Sequence, residues 1–193
     1  MSDIRKKSFL TCQPANSPDV GRMTWNDKFT ALFDRCVTEY RNGNTNFETY
    51  YNEEDLEFLE SIGYKRREFF DFVEDFCDDG APSPSTALLI ASVRRDYFLV
   101  MQDGQASSDE ITRDDLPTFG DTLAGINYLP RILTKARAKL TGELDPDIMF
   151  GCGGDRKFLR DNGDIHPADF LRHVWDAAND DDAVADYVLS QRK

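Results

Sequence analysis

The chain has 193 residues, 40% of them hydrophobic and 14 of them Phe, which is enough apolar material for a folded core and too much for a disordered chain. A formal net charge of −13 argues against a nucleic-acid partner and against an anionic membrane surface, since both require basic patches. The length allows one domain or two small ones.

Residues 1–22 carry Pro14, Ser17, Pro18 and Gly21 without periodicity and read as a flexible N-terminal arm. Arg5, Lys6 and Lys7 precede no apolar stretch of the signal-peptide kind, so a cytoplasmic location is expected. Thr24 followed by Asp27 predicts a capping box. Behind it Phe29, Leu32, Phe33, Cys36, Val37 and Tyr40 share one helical face, and Gly43 ends the helix. Asn52 predicts the cap of a short second helix carrying Leu56, Leu59 and Ile62, closed by Gly63. A third helix runs from about Arg66 to Cys77 with Phe69, Phe70, Phe72, Val73 and Phe76 apolar. Its acids, Glu68, Asp71, Glu74 and Asp75, occupy the other side. Ser83-Pro84 opens a fourth helix that extends to Met101, although Tyr97-Phe98-Leu99-Val100 also suits a short strand.

Residues 103–122, rich in Gly, Ser, Asp, Thr and Pro, read as a linker, and the order of elements then starts again. Leu129, Ile132, Leu133, Ala136 and Leu140 predict a helix stopped at Gly142, and Phe158-Leu159 a short helix ending near Gly163. Pro167 suits the first turn of a helix carrying Phe170, Leu171, Val174 and Trp175. A last helix starts near Asp182 with Val184, Tyr187, Val188 and Leu189. The expected fold is all-α, in two quasi-repeated four-helix units, 23–102 and 123–193.

The repetition is visible residue by residue. At an offset of 100, Asp55 meets Asp155, Phe58 meets Phe158, Leu59 meets Leu159 and Gly63 meets Gly163. One inserted residue later, Phe69, Val73, Asp75 and Asp79 meet Phe170, Val174, Asp176 and Asp180. Identities are few, so the argument rests on apolar classes staying in register.

Leu129-Pro130-Arg131, the helix Lys135-Ala136-Arg137-Ala138-Lys139-Leu140, then Gly142, Cys152, Asp155 and Phe158-Leu159 resemble an uncharacterised bacterial family, domain-of-unknown-function family 5069. The likeness spans roughly residues 117–190. Thr134 stands where that pattern has an acid, and Gly153-Gly154 replaces its usual filler. The resemblance implies a scaffold and no particular chemistry.

Two constellations carry the functional reading. Arg35 with Asp55, and Lys135 with Asp155, recur at equivalent positions and predict ion pairs that fix helix one against helix two. The second unit alone adds Arg131, Lys135, Arg137 and Lys139 on one helix, followed by the loop Gly151-Cys152-Gly153-Gly154 and Asp155. Backbone N–H groups in a glycine loop before a helix make an anion nest, so a phosphate or carboxylate site is expected there. The loop lacks a P-loop's Gly-Lys-Ser/Thr ending. Cys152 has only His166 and His173 as bases in the whole chain, and neither has an assignable orienting carboxylate. No catalytic set, metal site or cofactor is predicted. The leading expectation is a non-enzymatic interaction module with a protein partner; the alternative is a binder of, or enzyme on, a small anionic ligand at 129–140 and 151–154.

Overall fold

A computed structural model of the chain describes residues 23–192. The predicted arm, 1–22, and Cys12 within it lie outside the described residues. Eight helices follow one another among those described: α1 (Trp25–Arg41), α2 (Glu53–Ser61), α3 (Arg66–Asp79), α4 (Pro84–Met101), α5 (Leu129–Thr141), α6 (Gly153–Asp161), α7 (Pro167–Ala177) and α8 (Asp181–Gln191). A two-residue hairpin, β1 (Thr122–Leu123) with β2 (Ile126–Asn127), leads into α5. The architecture is predominantly all-α, and α4 stays helical through Tyr97-Val100 to Met101. Among the described residues no helix is long and apolar enough to cross a membrane.

The helix starts follow from their caps. Thr24 with Asp27 and Asn52 with Asp55 each form a reciprocal capping box at the starts of α1 and α2. Ser83 accepts from the Thr86 N–H before Pro84, and the Asp180 side chain accepts from Ala183. The bounds of α2 and α6 differ by 100, the offset visible in the sequence.

Both halves contribute to a single core. Phe29, Phe33, Phe69 and Val73 from the first half and Leu133, Phe150, Phe170 and Val188 from the second belong to one continuous buried cluster. Phe29 and Phe69 meet edge to face with centroids 5.0 Å apart, an arrangement worth about 0.5–1.5 kcal/mol beyond burial. The shared core centres on α4, which packs against α1 of its own half and against α5 and α7 of the other. Tyr97 of α4 stands edge-on to Trp175 of α7, 5.3 Å between centroids.

This joining alters two readings. The acidic side of α3 faces the second half as well as solvent: Asp71 is buried, and Glu68 accepts from the buried Lys139 of α5 at 2.6 Å. The stretch 103–122 is docked on the fold: Leu116 is buried, and Ile111 makes a bridge with Leu144.

Candidate functional site

The two predicted ion pairs are both present and differ in their surroundings. In the first half Asp55 Oδ2 accepts from the Asn52 N–H at 2.9 Å and from Arg35 Nη2 at 2.6 Å. The side chains of Arg35 and Asp55 remain 43% and 17% exposed. In the second half Asp155 Oδ2 accepts from the Gly151 N–H at 2.9 Å and from Lys135 Nζ at 2.5 Å. Its Oδ1 accepts from the Tyr128 hydroxyl at 2.8 Å, and these side chains of Lys135 and Asp155 are only 5% and 0% exposed. Tyr128 precedes α5 with φ at +71°, a left-handed backbone that non-glycine residues seldom adopt. Burial first, then the Asp155 charge, pushes the tyrosine hydroxyl well above its ordinary range, so it serves as a donor.

The protein's own carboxylate therefore fills much of the predicted nest. Asp155 takes the Gly151 N–H and the Lys135 ammonium that an external anion was expected to use. The four basic residues of α5 also separate. Positions four apart share a helical face, so Arg131 and Lys135 look toward the same cleft. Arg137 turns the other way, donating to the Ala178 carbonyl at 3.0 Å and to Asp181 at 2.5 Å. Lys139, one turn beyond Lys135, goes to Glu68 and lies over the Tyr64 ring, 4.3 Å from its centroid.

The cleft has a volume of about 390 Å3 and lies between α3 of the first half and the loops flanking α5 of the second. Lys135, Cys152 and Gly154 form one wall, and the Cys152 sulfur accepts from Lys135 Nζ at 3.3 Å. Arg67, Asp71 and Glu74 form the facing wall, with Arg67 pairing both acids at 3.0 and 3.2 Å. Arg113, Phe119 and Arg131 line it as well. Arg131 lies over the Phe119 ring at 4.4 Å and donates to the Pro117 carbonyl at 2.7 Å. Arg113 donates to the Asp147 carbonyl at 3.3 Å. Among the described residues neither guanidinium has a carboxylate partner. His166 caps α7 and His173 stacks on Tyr187, and neither lines the cleft, so no cysteine–histidine pair is assembled there.

Sequence reasoning missed Asp71, Arg113 and Tyr128. Arg67 and Asp71 stand four apart on α3, a spacing that signals a pair; nothing local shows that the second half covers it. Burial raises the Asp71 carboxyl to about 7, against the opposing pull of Arg67 and Lys139. A raised carboxyl contributes stability that is fully present below the unfolded-state range, near pH 4, and is lost as pH rises through about 7. The Asp71 contribution is thus expected to fall between pH 4 and 7, and Asp71→Asn to remove that part of the wild-type slope. The variant should exceed wild type at pH 8 by roughly 2–4 kcal/mol and match it near pH 4, as read from urea midpoints. Parallel pH profiles for the two proteins would refute the assignment.

Comparisons of the chain with protein-family models, with curated proteins and with solved structures return no match.

Proposed function

We propose that the protein binds a small molecule bearing a phosphate or carboxylate in the cleft between α3 and α5. The observation that carries this is a pair of cleft guanidiniums, Arg113 and Arg131, without carboxylate partners among the described residues. The other two cations of the cleft, Arg67 and Lys135, are already matched by Asp71, Glu74 and Asp155. An anion docking on Arg131 would lie beside Phe119, a residue 70% exposed that offers apolar surface to the rest of the ligand. Residues that carry the resemblance to family 5069 supply Lys135, Cys152 and Asp155, the polar framework behind that wall. A cytoplasmic setting is in keeping with the free thiols Cys36, Cys77 and Cys152.

A thermal-shift screen against phosphorylated and carboxylated metabolites tests the reading. A ligand-dependent rise in Tm is expected, with Arg131→Ala weakening the binding about tenfold or more. Either no compound raising Tm, or an equal rise in a protein lacking both Arg113 and Arg131, would remove the proposal. A second reading, the non-enzymatic interaction module, is favoured by a run of exposed apolar side chains at the end of α4: Leu99, Val100 and Met101.

A further inference from the structure

A second cavity, about 540 Å3, ends on a buried guanidinium that no carboxylate claims among the described residues. It lies where the carboxyl ends of α2 and α5 meet the end of α4, and residues 104–107 form its outer edge. Arg94 of α4 is 1% exposed and lines it. Its Nη1 donates to Gln102 Oε1 at 2.9 Å, and Gln102 is itself fixed by donating to the Thr141 carbonyl at 3.0 Å. Nε has no hydrogen-bond partner. Glu68, the acid whose charge acts most strongly on Arg94, is already held by Lys139 at 2.6 Å.

The unfilled edge has a specific geometry. With Nη1 on Gln102, the open end of the guanidinium is Nη2, which has no acceptor among the described residues; Nε has no room beside it for a further atom, so a carboxylate oxygen reaches Arg94 at Nη2. Glycines stand where this edge meets the cavity. A Cβ on Gly142 would come within 2.4 Å of Nη2, and one on Gly63 within 3.0 Å. The carboxyl ends of α2 and α5 and the Phe98 ring, 5.3 Å away, offset part of the cost of burying Arg94, yet neither helix end accepts a hydrogen bond from it. An unpaired buried charge is costly to hold, so its retention at the end of a cavity points to an anion that completes it. The Tyr64 hydroxyl, also buried and without a partner, adds a second unmet donor to the same cavity lining. Lys65 and Glu60 are the charged groups of the rim, with Lys65 Nζ donating to the Leu144 carbonyl at 3.2 Å and lying 4.0 Å from Glu110, and Phe98 and Leu99 give the cavity an apolar side.

We propose that this cavity binds a small organic carboxylate with an apolar tail, its carboxylate on Arg94 and its tail against Phe98 and Leu99. The site is separate from the cleft at Arg131. Sodium hexanoate is the probe, with hexanol and inorganic phosphate as controls, each titrated into the full chain. Hexanoate should raise Tm and shift the Arg94 Nε–H resonance in arginine-labelled protein. Arg94→Met should weaken hexanoate binding at least about tenfold, and Lys65→Ala by about two- to fivefold. Arg131→Ala should leave it unchanged. Without ligand, Arg94→Met should melt close to wild type, because removing a buried charge that has no carboxylate offsets the loss of the Gln102 hydrogen bond and of the Phe98 ring contact. Should that variant fail to fold, the Nε–H shift in wild type and the Lys65→Ala titration decide the question. No hexanoate-dependent change in either signal, or an equal response to hexanol or phosphate, would overturn the carboxylate site.

Discussion

Lys135→Ala is expected to destabilise the fold by about 3–5 kcal/mol, while the register-equivalent Arg35→Ala costs less than about 1 kcal/mol. The chemistry of the two pairs is alike; their water is not. Arg35 is 43% exposed on its side chain, so solvent screens the attraction and rehydrates Asp55 when the arginine is removed. Asp155 has no exposed surface, and removing Lys135 leaves a buried carboxylate with only the Tyr128 hydroxyl and the Gly151 N–H as donors. Adding Asp155→Asn to Lys135→Ala should recover part of the loss, since the amide oxygen can accept from the Gly151 N–H while its NH2 donates to the Tyr128 hydroxyl oxygen. Urea denaturation of the four proteins measures each difference directly. A loss below about 1 kcal/mol for Lys135→Ala would mean that water reaches the pair.

Glu68→Ala is expected to cost a similar 3–5 kcal/mol, and Lys139→Met distinctly less, no more than about 2 kcal/mol. The asymmetry follows from what each change leaves behind. Without Glu68, the Lys139 ammonium is stranded over the Tyr64 and Phe72 rings, with centroids 4.3 and 4.8 Å away, and the neighbouring Arg94 adds like charge. Burial already pulls the Lys139 ammonium below its ordinary range, and Glu68 opposes that pull. Methionine keeps the apolar stem in place, and Glu68, on the partly exposed side of the pair at 14%, can turn to water. Equal losses for the two variants would show that Glu68 is as dry as Lys139.

The helices were legible because their causes are local. Thr24-Asp27, Asn52-Asp55 and Ser83-Pro84 announce helix starts without reference to anything distant, and the apolar spacing of α1 and α5 names their buried faces. The pairing of Lys135 with Asp155 was legible for another reason: the first half carries the same two charge signs at the same offset. What stayed hidden depends on the two halves meeting. Asp71 and Glu68 read as the outer side of an amphipathic helix until Lys139 arrives, 71 positions along the chain from Glu68. Arg94 gave no signal, since an arginine in an Arg94-Arg95-Asp96 run resembles any solvated helix surface. Arg113 sits in a stretch whose composition describes a linker, and composition says nothing about where a linker docks.

The position of α4 also governs how the cleft can move. Its walls come from opposite halves of the chain, which suggests closure about a hinge at 103–122. Such a hinge would have to draw α5 and α7 away from α4 and wet Ala87, Ile90 and Ala91, which have no exposed surface. The cleft is therefore preorganised, and the entropy lost when a ligand enters falls mainly on rim side chains such as Arg113 and Phe119.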